Sequence, residues 1–243
     1  MTKRRSIAQD IAKRALDIVA SAGGLAVLAV PLFGVAAAVR LESDGPVFYR
    51  GERIGLRGRP FRLFKFRSMF VRETKGPDTT SDTDNRITRV GRVIRRLKVD
   101  ELPQLINVLV GEMSLVGPRP EVKWCVDLYT DDEKEILTVR PGITDWSSLR
   151  FHNEGEIIKA SGYADPDQAY LDLIRPEKLR LQLKYVHERS FAIDLSIIWQ
   201  TISTIFRTRV ATVGNSGSVA HPPSSTGATY DVDSRVASSG SPS

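Results

Sequence analysis

The sequence predicts a mainly helical α+β protein: an N-terminal helical element inserted in a membrane, then a small cytosolic domain of helices and short strands, with interfacial amphipathic helices. Three observations predict it. The 22 residues Ile18–Val39, between Asp17 and Arg40, carry no charge. Short extended runs bounded by Gly and Pro follow, and segments of helical periodicity lie at 166–189 and 191–207. A chain of 243 residues with 41% apolar and 26% charged residues can build one sizeable core and is not disordered throughout. A single cysteine, Cys125, excludes an intramolecular disulfide and a cysteine metal cluster. The histidines, His152, His187 and His221, are too far apart for a zinc motif.

The uncharged run comes first. At about 1.5 Å per residue it just spans a hydrocarbon core of roughly 30 Å. Three readings compete. A cleaved signal peptide fits the basic residues Lys3, Arg4, Arg5, Lys13 and Arg14 and the Ala36–Ala38 site, but not the length. A plain transmembrane helix fits the length, yet Arg40, Arg50, Arg53, Arg57 and Arg59 make the second flank basic too. A re-entrant helical hairpin keeps both basic flanks on the cytoplasmic side, and Pro31 supplies a kink near its middle. The organisation expected is a basic N-terminus and membrane element over 1–40, a folded cytosolic domain over 41–210, and a disordered Ser/Gly-rich tail over 211–243.

Charge is distributed unevenly. The net charge is +6, from 35 basic and 29 acidic residues, and residues 1–72 alone hold 14 against 5. That bias implies a polyanionic neighbour: nucleic acid, anionic headgroups or a phosphorylated substrate.

Next, the turn at Gly45-Pro46 leads into Val47–Arg50, and residues 60–70 (PFRLFKFRSMF) read as a strand of aromatic and basic residues. On it Lys65 and Arg67, two apart, share a face. Residues 73–85 read as a polar loop. A helix is expected over 86–97, with Arg86, Arg89, Arg92 and Arg95 at steps of three, and a second from near Asp100 to Val110. Asp100-Glu101 before Leu102-Pro103 places the pair at a helix N-terminus, Asp100 as cap. A carboxylate beside arginines stays ionised, and can act as a nucleophile or bind a hard cation; a cap with a solvated arginine stripe is the plainer reading. In Gly117-Pro118-Arg119-Pro120 two prolines restrict where the Arg119 guanidinium points. Residues 131–137 read as helical and Arg140-Pro141-Gly142 as a turn.

In this order the pieces resemble the bacterial sugar transferase family, the monotopic polyprenyl-phosphate phosphoglycosyl transferases. The resemblance is carried by Gly45-Pro46-Val47-Phe48, Lys65-Phe66-Arg67-Ser68-Met69, Arg86–Gly91, the long stretch Leu97–Glu121 (LKVDELPQLINVLVGEMSLVGPRPE) and Val139–Thr144. It implies transfer of a sugar 1-phosphate from a UDP-sugar to undecaprenyl phosphate with release of UMP, starting an exopolysaccharide, lipopolysaccharide or other glycan on its lipid carrier. It implies that Asp100 is the nucleophile of a phosphosugar-aspartyl intermediate, and that Asp100 and Glu101 bind Mg2+. Lys65, Arg95 and Arg119 become phosphate- and nucleotide-binding residues, and Pro31 the membrane kink. It further implies a bacterial inner-membrane location with the catalytic domain on the cytoplasmic face, membrane lipids as partners and no nucleic acid; a homo-oligomer is compatible with it. Two departures stand out: Val30 where the family has a serine before the proline, and Asp145–Glu154 where many members carry a Gly-Trp-Ala-Gln-type run. The donor sugar therefore stays unnamed. The competing classes are a membrane-tethered adaptor for anionic lipid or nucleic acid, and a Mg-dependent phosphohydrolase.

Overall fold

The computed structural model describes residues 7–71 and 85–214. The polar loop expected at 73–85 and the Ser-rich tail fall almost wholly outside these residues. The mainly helical α+β class is met.

Helix α1, Ile7–Glu42, is 36 residues long, about 54 Å at the usual rise. Among the described residues it is the one helix long and apolar enough to cross a membrane. The expected hairpin needs a turn inside the apolar run; α1 instead passes through Pro31 as one helix. The reason lies in its inner face. Asp17, Ser21, Gly24, Leu28, Leu32, Val35 and Val39 recur at helical spacing, buried or half-buried, on both sides of Pro31. Gly24 sits under Leu105, where a Cβ would come within 3.3 Å of that side chain. Further along, Leu32, Val35, Ala36 and Val39 pack with Phe66 and Ile94. The opposite face, with Val19, Val27, Val30, Pro31 and Phe33, is exposed.

Strands β1 (Phe48–Ile54) and β2 (Pro60–Phe66) form an antiparallel hairpin that pairs Tyr49 with Lys65. Its turn holds Arg57 (φ 58°) and Gly58 (φ 73°) in the left-handed region. Phe48 stacks on Phe66 at 5.3 Å, and Arg50 lies 3.9 Å over the Phe64 ring. Alternation turns Phe61 and Leu63 inward to Val108 and Met113.

Helix α2, Arg89–Arg96, starts three residues later than expected because Thr88 caps it, accepting from Gly91 N–H at 2.8 Å. Lys98 then turns the chain at φ 56°, a conformation that costs a non-glycine residue about 1–2 kcal/mol. The expected helix from Asp100 proves to be two pieces: a 3-10 turn over Val99–Glu101, then α3, Gln104–Val110. Asp100 is thus inside a tight turn and caps nothing, since Pro103 holds the cap position of α3. Gly111, at φ 93°, ends α3 as a left-handed C-cap.

Strands β3 (Ser114–Val116) and β4 (Gly142–Thr144) pair in parallel. Gly117 and Gly142 meet so closely that a Cβ on Gly142 would lie 2.1 Å from the Gly117 nitrogen, so both must be glycine. Short helices α4 (Lys123–Asp127), α5 (Trp146–Arg150), α6 (Glu154–Ala160) and α7 (Pro166–Ala169) follow. The segment expected helical at 131–137 is a 3-10 helix over Glu133–Thr138. The amphipathic segment 166–189 resolves into α7, a π turn over Tyr170–Ile174 and α8, Arg175–Glu188. Helix α9, Phe191–Gly214, runs four residues past the boundary expected at 210.

Candidate active site

Four side chains that lie far apart in the chain converge. Lys65 is two residues beyond Leu63 on β2, so the pleat aims it at the same side, toward α3 and the turn before it. Its Nζ lies 2.8 Å from Asp100 Oδ2 and 3.5 Å from Glu101 Oε1. Arg119 forks the other carboxylate: Nη1 donates to Glu101 Oε2 at 3.1 Å and Nη2 donates to Oε1. This is the planar two-point pairing that an arginine makes best.

The supports are equally specific. Asn107, fully buried on α3, accepts from Phe64 N–H at 2.9 Å and donates to Arg62 O at 3.0 Å. It thereby fastens α3 to the strand that carries Lys65. Ile54 N–H donates to Glu121 O at 2.9 Å, tying the end of β1 to the Arg119 segment. Gln182 on α8 donates to Arg119 O at 3.4 Å.

The two carboxylates differ sharply. Burial opposes ionisation of Glu101, but the charges of Arg119, Lys65 and Lys98 outweigh it and hold its carboxyl well below the usual range. Glu101 in turn pushes the Arg119 guanidinium above its ordinary value. Asp100 is only 2% exposed, and its Oδ1 has no hydrogen-bond partner among the described residues. Most buried polar atoms in folded proteins are paired, so an orphan oxygen beside a lysine calls for an explanation. Gln104 Nε2, on the first turn of α3, is buried and unpaired as well.

Of the residues singled out in the sequence, Lys65, Asp100, Glu101 and Arg119 are brought together. Arg95 lies in the last turn of α2 and is half-buried. Pro31 stays on the exposed face of α1. Arg67 does not share the Lys65 pocket. The strand ends at Phe66, and the Arg67 guanidinium donates to Val39 O, Ser43 O and Asp44 O at the C-terminus of α1. Glu42, from the same helix end, accepts from Arg89 N–H at 2.7 Å and Val90 N–H at 3.0 Å, at the start of α2.

A second buried group was not foreseen. Glu121 binds Lys178 at 2.8 Å and accepts from Tyr170 OH at 2.9 Å, with Glu154 3.6 Å from Lys178. Burial would lower Lys178, but Glu121 and Glu154 hold it above its ordinary value. The available signal was a lysine in phase with Leu171, Ile174 and Leu179 rather than with the charged face of its segment. Cys125 lies nearby, and burial pushes its thiol up to about 12, so it is not a nucleophile at neutral pH.

Comparison with known proteins finds relatives over most of the chain. Over 203 residues the chain is 39% identical to the UDP-N-acetylgalactosamine-undecaprenyl-phosphate N-acetylgalactosaminephosphotransferase of Aeromonas hydrophila, covering 79% of this chain and 43% of that protein. It is 38% identical over 207 residues to the UDP-glucose:undecaprenyl-phosphate glucose-1-phosphate transferase of Caulobacter vibrioides, covering 83% and 72%. It is 36% identical over 204 residues to an exopolysaccharide production protein of Rhizobium leguminosarum, covering 79% and 94%. The chain thus spans less than half the length of the Aeromonas relative. The sequence profile of the bacterial sugar transferases matches residues 8–208. That stretch takes in nearly all of α1 and every one of the four converging side chains, and the chain belongs to the bacterial sugar transferase family.

Proposed function

We propose that the chain moves a sugar 1-phosphate from a UDP-sugar to undecaprenyl phosphate, releasing UMP and initiating an exopolysaccharide or related glycan. One observation carries this reading: Asp100 has one oxygen held by Lys65 and the other buried with no partner among the described residues. A carboxylate so divided presents a single, oriented oxygen to an electrophile.

In the first half-reaction Asp100 Oδ1 attacks the β-phosphorus of the donor. The bond from that phosphorus to the oxygen bridging the two phosphates breaks, and UMP leaves with the electron pair. Asp100 is left as a phosphosugar ester. In the second half-reaction an oxygen of undecaprenyl phosphate attacks the same phosphorus, the aspartyl ester bond breaks, and the carboxylate is restored. Lys65 orients Asp100 and offsets charge on the donor. Arg119 fixes Glu101 and reaches the nucleotide phosphate, while Arg95 binds a substrate phosphate.

The residues present fit a hard cation. Asp100 Oδ1 has no hydrogen-bond partner among the described residues and Glu101 is next to it, although both Glu101 oxygens accept from Arg119. No cluster of three or more metal-ligating side chains occurs among the described residues. A Mg2+ held by Asp100 and Glu101 would complete its shell with water and phosphate oxygens, as Mg2+ usually does, and would supply charge neutralisation at the diphosphate.

The membrane attachment we infer is monotopic, at the cytoplasmic face of the inner membrane. Its support is that both ends of α1 are held by one body: Lys13, Arg14 and Asp17 bond to the α3–β3 region, and Val39–Asp44 bond to Arg67. A helix so held leaves its apolar outer face to the lipid and places the site at headgroup level, where the lipid phosphate is.

The test uses purified chain, undecaprenyl phosphate, Mg2+ and a panel of UDP-sugars, with UMP release as readout. At least one donor should release UMP, and Asp100→Asn should lower the rate by about a thousandfold or more. Radiolabelled sugar phosphate should be trapped on the wild type and not on Asp100→Asn. Label retained by the variant would remove Asp100 from the nucleophile's role. Full-rate release of free sugar phosphate without the lipid would favour a phosphohydrolase.

A further inference from the structure

Lys13, Arg14 and Asp17 are the last three charged residues before the uncharged run of α1, and sequence logic treats such charges as topological signals. The structure gives them other partners. Asp17, 3% exposed, accepts from Ser114 Oγ at 3.1 Å and Leu115 N–H at 3.0 Å through one oxygen. Lys13 donates to Val116 O at 3.0 Å and pairs with Asp194 at 3.1 Å. Tyr185 OH, 1% exposed, closes that corner on Asp194 at 2.8 Å and Val116 O at 3.1 Å. Arg14 donates to Val108 O at 2.7 Å and Leu109 O at 3.0 Å.

These partners belong to the two arms of the site. Ser114, Leu115 and Val116 make up β3, which runs through Gly117 and Pro118 directly into Arg119. Val108 and Leu109 lie at the C-terminal end of α3, whose N-terminal end follows the Asp100-Glu101 turn. Arg119 and Glu101 meet through a planar fork, a contact that small relative shifts of the arms would open. One turn of α1 spans both arms.

We propose that Lys13, Arg14 and Asp17 are positioning residues for the sugar-phosphate transfer: this turn of the membrane helix clamps the strand leading to Arg119 against the helix following Asp100 and Glu101. The membrane helix is then part of the catalytic scaffold as well as an anchor. The inference rests on the transferase reading above for its kinetic readout, and on the fold alone for its binding readout.

The experiment compares full-length wild type with Asp17→Leu, Asp17→Asn and Ser114→Ala in lipid nanodiscs. Asp17→Leu removes the acceptor without burying a new charge, whereas Asp17→Asn keeps an oxygen for Ser114 and Leu115. Asp17→Leu should raise the donor KM, and the dissociation constant for UDP measured by calorimetry, by about tenfold, the loss expected when buried donors lose their acceptor. The KM for undecaprenyl phosphate and membrane recovery should not change. Asp17→Asn should restore the donor values to near wild type. Ser114→Ala, a milder cut of the same contact, should give a smaller shift in the same direction and serves if Asp17→Leu does not fold. Unchanged donor KM and UDP affinity in both Asp17→Leu and Ser114→Ala would overturn the proposal. So would equal losses in Asp17→Leu and Asp17→Asn. A wild type that binds UDP but turns over no UDP-sugar counts against the transferase reading instead, and the calorimetric comparison still decides the clamp.

Discussion

Two buried charge clusters draw on the same short segment, Arg119-Pro120-Glu121, and they are built to opposite ends. Glu121 takes both Lys178 and Tyr170. Lys178 is 5% exposed and also faces Glu154. Glu101, Arg119 and Lys65 are likewise matched, but Asp100 keeps one oxygen with no partner among the described residues. A saturated network rigidifies a core, while an unsaturated group in a dry setting stores reactivity. The two clusters thus differ in saturation although both combine lysine, acid and burial, and on the proposed reading the unsaturated one carries the chemistry.

Removing Lys178 gives the largest expected effect on stability. Lys178→Met leaves the Glu121 carboxylate buried without its cation, a change that costs about 3–5 kcal/mol in comparable buried pairs. The double variant Lys178→Met/Glu121→Gln should recover a good part of that loss. Thermal unfolding reads the first effect and UMP release from the folded fraction reads the second, which should stay near wild type. Preserved stability together with a collapse of turnover would reverse the assignment and put Lys178 in the chemistry.

Arg119→Lys should break the comparison in the other direction. A lysine keeps the charge but loses the two-point fork on Glu101, so turnover should fall by about tenfold while the melting temperature changes little. A loss of stability as large as that of Lys178→Met would make Arg119 structural too.

The contrast between the clusters also marks what the sequence could reveal. Lys65, Asp100, Glu101 and Arg119 sit within compact motifs and were legible as candidates; that the four converge is what the structure adds. Asp100 as a helix cap was not correct, because Lys98 adopts a left-handed turn that no glycine announces. Lysine in place of glycine there has a cost in backbone energy, and the Lys98 charge is one of those that keep Glu101 ionised. Arg67 looked like a partner of Lys65 by strand alternation, yet the strand ends one residue before it. The hairpin expected at Pro31 followed from the basic flanks, the proline near the middle of the run and the family resemblance. Charge could not show that one face of α1 packs on the domain on both sides of the proline. Pairings such as Lys178 with Glu121 depend on tertiary contacts 57 residues apart and leave no local pattern.

The smallest effect is also the most diagnostic of the Glu101 environment. Its carboxyl is held below the usual range in the folded chain, despite burial, by Arg119, Lys65 and Lys98. A depressed carboxyl contributes stability that is complete above the unfolded value, about 4.3, and is lost as pH falls through the folded one. Glu101→Gln lacks that contribution at every pH. The melting temperature of the wild type should therefore exceed that of Glu101→Gln by a constant margin from pH 8 to about pH 5, and the margin should narrow below about pH 4. Paired melting curves across that range measure it. A margin that widened on acidification would mean that Glu101 is held protonated, and the fork with Arg119 would then be a neutral contact rather than an ion pair.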